Sequence, residues 1–272
     1  MGIVGVLHPG AMGGFIASTI SSDSEGAWVS AGRSAATRAR AARLTGFDSL
    51  AELAAVAAAI VSICPPGSAL DVATQVASTG FRGLYLDANA VSPTTMAAVA
   101  GVLVDARVVD GAVIGGPSTD SASAYVAGPA AADAAALFDP TKLTVHVLPG
   151  PVGSASALKA SYALTSKAHS ALLFTARAAA RASGVEDALL AEWDRTQPDL
   201  HASVDRGAAT IGRKAWRFVD EMREAADYLD SVGVPSGFSS AAADTFARLA
   251  GLPRDADVDP AVTFDAIAAD RT

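Results

Sequence analysis

The stretch Gly2-Ile3-Val4-Gly5-Val6-Leu7-His8-Pro9-Gly10-Ala11-Met12-Gly13-Gly14, running on through Phe15 to Ile20, decides how the rest of the chain is read. Residues 2–7 are apolar and strand-like, His8-Pro9-Gly10 supplies turn residues, and the sequence from Ala11 onward suits a helix. A strand that enters a glycine turn and then a helix leaves backbone N–H groups open at the helix start, where they attract a pyrophosphate. The usual dinucleotide fingerprint is G-x-G-x-x-G, and its three slots here hold His8, Gly10 and Gly13. Gly10 permits close approach of the backbone to phosphate, and Gly13 permits tight packing of helix on strand. Because His8 replaces the first glycine, an ordinary strand-to-helix turn stays open as the alternative. His8, Pro9, Gly10, Ala11 and Met12 form the first set of candidate cofactor residues.

The end of the next strand, expected at residues 27–31, bears on which dinucleotide fits. An NAD-preferring unit places Asp or Glu about 20 residues beyond the glycines, whereas Arg suits a 2′-phosphate. Gly32-Arg33-Ser34 stands at that distance, Thr37, Arg38 and Arg40 follow, and no acid lies between Gly26 and Phe47. These hydroxyls and cations favour NADP(H). A solvated basic helix start is the plainer reading of the same residues.

Composition sets the limits. The chain has 272 residues, 51% of them hydrophobic, which is ample for one large or two modest cores. Its formal net charge of −8 argues against a general nucleic-acid or membrane surface. The longest uncharged apolar run, residues 53–66, is shorter than the roughly 18–20 residues a membrane span needs, and no basic segment precedes a hydrophobic one at the N-terminus. Cys64 is the single cysteine, which excludes an intrachain disulfide and fits a cytoplasmic location. His146, His169 and His201 are scattered without metal-ligand spacing, so no metal site is expected.

Strand and helix patterns alternate through the first half. Helical spacing at 47–58 leads to a strand at 60–64, closed by Pro65-Pro66-Gly67. The Cys64 thiol reads as packing, while the Cys64-Pro65-Pro66 turn joins the cofactor set by its place at the strand's end. Helices at 68–77, 92–102 and 130–137 alternate with strands at 83–87, 108–113, 124–127 and 143–147. This is the pattern of an α/β, Rossmann-type, mostly parallel sheet, with its ligand crevice past the strands' C-terminal ends. Strand patterns stop at Leu148-Pro149-Gly150-Pro151, which divides an expected dinucleotide-binding domain, 1–149, from an all-α domain, 150–272. Residues 152–183 contain no proline and one glycine, Gly153, and predict a helix of about 30 residues. Further helices are expected at 186–195, 200–229 with a break near Gly207 or Gly212, and 239–249, with an acidic turn beyond Pro253.

Lys159 lies in the Ala/Ser-rich first half of that long helix, in Gly150-Pro151-Val152-Gly153-Ser154-Ala155-Ser156-Ala157-Leu158-Lys159. A lysine facing the cleft donates a proton to a substrate oxygen as hydride arrives at carbon, or accepts one in the oxidative direction. Partial burial would lower its pKa toward the working range. Taken alone, a helical lysine is usually a solvated surface charge. Tyr162 reads equally as an orienting hydroxyl or a packed ring, and Trp216 as packing or as a wall of the substrate pocket.

Four motifs in order resemble the 6-phosphogluconate dehydrogenase-like, or β-hydroxyacid dehydrogenase, superfamily. The glycine turn is matched by His8-Pro9-Gly10-Ala11-Met12-Gly13, and the Asn-Arg-Thr after the second strand by Gly32-Arg33-Ser34. The motif D-x-S-T-x-S-P is matched by Asp87-Ala88-Asn89-Ala90-Val91-Ser92-Pro93, and D-A-P-V-S-G-G by Asp110-Gly111-Ala112-Val113-Ile114-Gly115-Gly116. The last motif is G-x-x-G followed by a catalytic lysine, here Gly150, Gly153 and Lys159. Leu190-Ala191-Glu192-Trp193, Lys214-Ala215-Trp216-Arg217 and Glu221-Met222 resemble one branch of that superfamily with its own helical C-terminal domain.

The resemblance implies an NAD(P)-dependent oxidoreductase, NADP(H) being favoured by Arg33, that acts on a small carbonyl or hydroxy substrate with Lys159 as acid/base. It also implies a homodimer through the helical domain. Asn89 would contact cofactor and substrate, and Ile114, Gly115, Gly116, Tyr162 and Trp216 would line the substrate site. The chain departs from the family where a serine and an asparagine help hold substrate, since those slots are Ile114 and Ala163. Lost partners imply a different or less polar substrate. Ser118 and Thr119 offer hydroxyls nearby. An imine reductase, and a cofactor-binding regulatory protein that has lost catalysis, stay open as alternatives.

Overall fold

The computed structural model describes residues 2–116 and 122–269. Ser118 and Thr119 lie outside them. The chain divides into two compact units, Met1–Ala160 and Ser161–Thr272, so the first runs past Gly150 into the long helix.

The first unit carries β1 (Ile3–Leu7), α1 (Ala11–Ser18), β2 (Glu25–Val29), α2 (Ala35–Arg40), β3 (Thr45–Phe47), α3 (Leu50–Val56) and β4 (Ala57–Ser62). It continues with α4 (Ala69–Ser78), β5 (Leu84–Asp87), α5 (Pro93–Val102), β6 (Arg107–Ile114), β7 (Ser123–Ala127), α6 (Ala131–Ala135) and β8 (Thr144–Val147), and reaches the start of α7 (Ser154–Ala163). The strands form one sheet in the order β3-β2-β1-β4-β5-β6-β7-β8. All pairs are parallel except β6 with β7. That exception has a local cause: β6 ends at Ile114 and β7 begins at Ser123, a connection shorter than the dozen or so residues a parallel crossover needs, so β7 runs back beside β6.

Alternation along the strands covers both faces. Val4, Val6, Val61, Leu84, Leu86, Val109 and Val113 pack with Ile16 of α1 and Phe138 on one side. Leu7, Ile60 and Tyr85 pack with Leu53, Val72, Val76, Met96 and Val99 of α3, α4 and α5 on the other. Both faces are buried, as a doubly wound sheet requires. The order reverses between β1 and β4, so the crevice for a ligand lies beyond Leu7 and Ser62.

The expected helix at 47–58 corresponds to three elements, because Phe47 ends β3 and Ala57 already begins β4. Ser49 accepts the Glu52 N–H and starts α3 late. The β3 edge strand, at Thr45-Gly46-Phe47, is too short to show alternation in sequence.

The second unit is helical: the rest of α7, α8 (His169–Ala182), α9 (Glu186–Thr196), α10 (Leu200–Thr210), α11 (Ala215–Ser231), α12 (Gly237–Leu249) and α13 (Pro260–Ala268). A π-helical turn, Leu164–Ala168, interrupts the long helix between α7 and α8. The expected break in 200–229 falls at Gly212, within a 3₁₀ turn, Ile211–Arg213. A Cβ on Gly212 would lie 2.4 Å from the Pro253 carbonyl oxygen, so the break is where another segment crosses closely. Among the described residues no helix is long and apolar enough to cross a membrane.

Candidate functional site

The site is built from the C-terminal ends of β1, β2, β4, β5 and β6. After β1, Gly10 is the N-cap of α1, no side chain caps the helix, and its first turn holds no acid. Among the described residues a Cβ on Gly10 would have only the His8 carbonyl oxygen within 4 Å, at 3.9 Å, which leaves room for a phosphate at the helix start. At Gly13 the same construction places Cβ 2.6 Å from the His8 carbonyl oxygen, a backbone atom that cannot move aside cheaply. His8 itself has φ of 62°, in the left-handed region, in the slot where the fingerprint has glycine. The turn keeps the glycine-type conformation and carries a side chain there at a cost of about 1 kcal/mol. Burial, and then the charge of Arg33, lowers the pKa of the His8 imidazole, which keeps the ring neutral. Its Nδ1 is buried without a partner.

Arg33 therefore stands near the glycine turn, as the spacing predicts. Gly32 turns the chain with φ of 70°, and Ser34 caps α2 by accepting the Thr37 N–H at 3.2 Å. Thr37 Oγ1 lies 3.1 Å from Ser34 Oγ and accepts from Arg40 Nη2 at 3.4 Å. Arg38 Nε donates to the Arg33 carbonyl, and Arg40 Nε to the Pro9 carbonyl. The partners of Arg38 and Arg40 are neutral oxygens, and among the described residues no carboxylate pairs with Arg33, Arg38 or Arg40, so three guanidinium charges and two hydroxyls gather in this segment. That donor set suits a phosphate monoester dianion.

Beyond β4 and β5 the polar groups are buried. Cys64 donates its backbone N–H to Asn89 Oδ1, and Asn89 Nδ2 donates to Ser62 Oγ at 3.2 Å. Asn89 is 3% exposed, so its carboxamide fixes the Cys64-Pro65-Pro66 turn against β5. Burial and the nearby Asp87 carboxyl push the Cys64 thiol up to about 12, which makes it a poor nucleophile at neutral pH. Asp87 accepts the Asn89 N–H at 3.0 Å through Oδ1, while Oδ2 is buried without a partner. Burial pushes its carboxyl up to about 7.

The raised carboxyl makes stability depend on pH. An unfolded Asp ionises near pH 4, so between about 4 and 7 unfolding releases this proton and rising pH favours the unfolded chain. Asp87→Asn should therefore gain on the wild type as pH climbs, its Tm advantage growing by roughly 3–8 °C between pH 5 and pH 8. Thermal melts of both proteins across that range check this; a gap that stays constant would refute it.

Beyond β6 stands Lys159. Its Nζ donates to the carbonyl oxygen of Val113, which puts the ammonium at the strand's C-terminal end beside Ile114-Gly115-Gly116. Gly115 turns out of the strand with φ of 90°, and a Cβ on Gly116 would lie 3.6 Å from Met12 Cε of α1. The lysine, the Ile114-Gly115-Gly116 turn and the glycine cradle thus share one end of the sheet.

Two residues that the motif reading left without a role anchor this arrangement. Asp110 and Ser156 are 0% and 1% exposed and hydrogen-bonded to each other. The one signal for Asp110 in the sequence was its place at the head of the motif that ends in Gly116.

Tyr162 and Trp216 belong to the second unit. The Tyr162 side chain is about half exposed. Trp216 sits in the first turn of α11 with the Arg254 guanidinium 4.9 Å and the Arg217 guanidinium 5.9 Å from its ring. In the same unit Lys167 is paired with Glu221 and lies 5.1 Å from the Phe218 ring. Among the described residues no group of three or more His, Cys, Asp or Glu is placed to hold a metal ion.

Solved structures share this architecture. A 3-hydroxyisobutyrate dehydrogenase from Mycobacterium tuberculosis, described with L-serine, superposes with a TM-score of 0.73 over 99% of this chain and 100% of that one, at 18% identity. The fold is that of the hydroxyacid dehydrogenases. This is the superfamily fold that the motifs around His8, Asp87, Asp110 and Lys159 resemble. A conserved hypothetical protein from Sinorhizobium meliloti 1021 has the fold at 25% identity and a TM-score of 0.68, covering 98% of this chain and 96% of that one. An imine reductase from Bacillus cereus has a TM-score of 0.53 at 15% identity, covering 97% and 98%. A family model described as a domain of unknown function, DUF1932, matches residues 180–249, in the helical part of the hydroxyacid dehydrogenase fold. No curated protein matches the sequence.

Proposed function

We propose that this chain is an NADP(H)-dependent oxidoreductase that moves hydride between the nicotinamide and a small carbonyl or hydroxy substrate, with Lys159 as the acid/base. The observation that carries this reading is the convergence, at one end of the sheet, of an open helix start and a lysine held at the end of β6. The backbone at Gly10 to Met12 binds the pyrophosphate, and Arg33, Arg38, Arg40, Ser34 and Thr37 bind the 2′-phosphate. Cys64, Pro65 and Pro66 bound the cofactor cleft beyond β4, held by Asn89. NADPH, when bound, supplies hydride to the substrate carbon. Lys159 then gives a proton to the substrate oxygen, and takes one back in the reverse direction. Ile114, Gly115 and Gly116 line the substrate side of that turn. The same reading makes the protein a cytoplasmic homodimer whose helical unit covers exposed apolar side chains such as Phe238 (75% exposed) and Val232 (53% exposed).

Assay of NADPH oxidation against ketones, aldehyde acids and cyclic imines tests the reading. Turnover of a carbonyl compound that depends on Lys159 is expected. Cyclic-imine turnover that survives loss of Lys159 would favour an imine reductase, and NADPH binding without turnover of any compound a regulatory protein. Arg33→Ala should raise the KM for NADPH about tenfold or more and change that for NADH little, since one charge-assisted phosphate contact is worth at least about 1.4 kcal/mol. Parallel rise of both KM values would refute the phosphate role.

A further inference from the structure

Gly153 precedes the first turn of α7 with φ of 104° and has no side chain with which to cap it. The cap comes from the sheet. Asp110 Oδ2 accepts the backbone N–H groups of Gly153 at 3.0 Å and Ser156 at 2.9 Å, and Oδ1 accepts the Ser156 hydroxyl at 2.6 Å. These are the groups that a helix N-terminus leaves open, and a carboxylate there also meets the positive end of the helix dipole. Ala155 packs with Ala112 and Ala127 beside it, so the turn is held by packing as well as by hydrogen bonds. The spacing then repeats along both elements: Ser156 meets Asp110, and three residues further on each, Lys159 meets the carbonyl of Val113. Three residues advance a helix by about 4.5 Å and a strand by about 10 Å, and the flexible four-carbon stem of lysine spans the difference.

We infer that Asp110, acting through Ser156, is the positioning residue for Lys159: the buried carboxylate fixes the first turn of α7 in register with β6 and so places the ammonium at the end of the strand. The inference rests on the acid/base reading of Lys159 for its catalytic consequence, but the clamp itself is measurable without substrate.

The chain has four lysines, Lys142, Lys159, Lys167 and Lys214, so acetylation by an N-hydroxysuccinimide ester, followed residue by residue with mass spectrometry, carries its own controls. Asp110→Asn removes the charge and one of the two acceptor oxygens, and Ser156→Ala removes only the hydroxyl, which keeps a milder variant available if the first does not fold. Release of the clamp should raise the rate at Lys159 about three- to tenfold with the other three lysines unchanged. In turnover, Ser156→Ala should lower kcat about tenfold with the KM for NADPH within twofold, and should have no further effect in a Lys159→Met background, because groups that act as a unit are non-additive. An unchanged Lys159 rate in Ser156→Ala, or an equal rise at all four lysines, overturns the inference. Full turnover in Lys159→Met alone would instead remove the acid/base role while the acetylation result still reported on the clamp.

Discussion

Lys159→Met lowers kcat for NADPH-dependent carbonyl reduction by roughly 10²–10⁴-fold, the usual contribution of a positioned acid/base, and leaves the Kd for NADPH within about twofold. Methionine matches the length and apolar character of the lysine stem, so the first turn of α7 keeps its contacts with Asp110 and the fold is retained. What disappears is the ammonium at the Val113 carbonyl. The cofactor cradle lies on β1, α1 and α2, whereas Lys159 stands beyond β6. Single-turnover hydride transfer and NADPH titration on the same variant separate the two effects. A variant that binds NADPH normally and turns over at the wild-type rate would remove the lysine from the mechanism.

Gly13→Val produces the second large effect. Its Cβ would lie 2.6 Å from the His8 carbonyl oxygen and 3.3 Å from Ile63 Cγ2, so α1 must move off the end of β1. The helix start then no longer faces the phosphate. Loss of at least about 2 kcal/mol of stability accompanies a rise of at least tenfold in the Kd for NADPH. Gly10→Ala is the informative comparison, because among the described residues beyond its chain neighbours its Cβ meets only the His8 carbonyl oxygen, at 3.9 Å. It should melt like the wild type and still bind NADPH more weakly, the added methyl occupying space meant for phosphate. Equal stability in all three proteins would show that the close approach at Gly13 is not what holds α1.

The sequence carried the cradle because its requirements are local. A strand, a turn and a helix start within a few residues of one another leave their marks on adjacent positions, and Arg33 follows at the spacing of one strand–helix–strand step. His8 shows where local reading stops. As a missing glycine it weakened the fingerprint, whereas its φ of 62° shows that the backbone conformation was kept and only the residue type changed. Gly212 is similar: two candidate glycines could break the helix, and only the close crossing of Pro253 selects one of them.

By itself, then, the sequence determined the Rossmann-type alternation, the helical second half, the glycine turn and the candidate lysine, since periodicity and turn chemistry act over short stretches. The β3 edge and the π-helical turn at Leu164–Ala168 were decided by partners outside their own stretch, pairing with β2 for the one and packing against α11 and α12 for the other. So were the contacts that give Lys159 and Asn89 their places. Asp110 and Ser156 are 46 residues apart, as are Val113 and Lys159, and Asn89 reaches Ser62 across 27 residues. Hydrogen bonds at such separations follow from the register of β4, β5 and β6 and from the docking of α7 on β6, and no local pattern in the sequence encodes them.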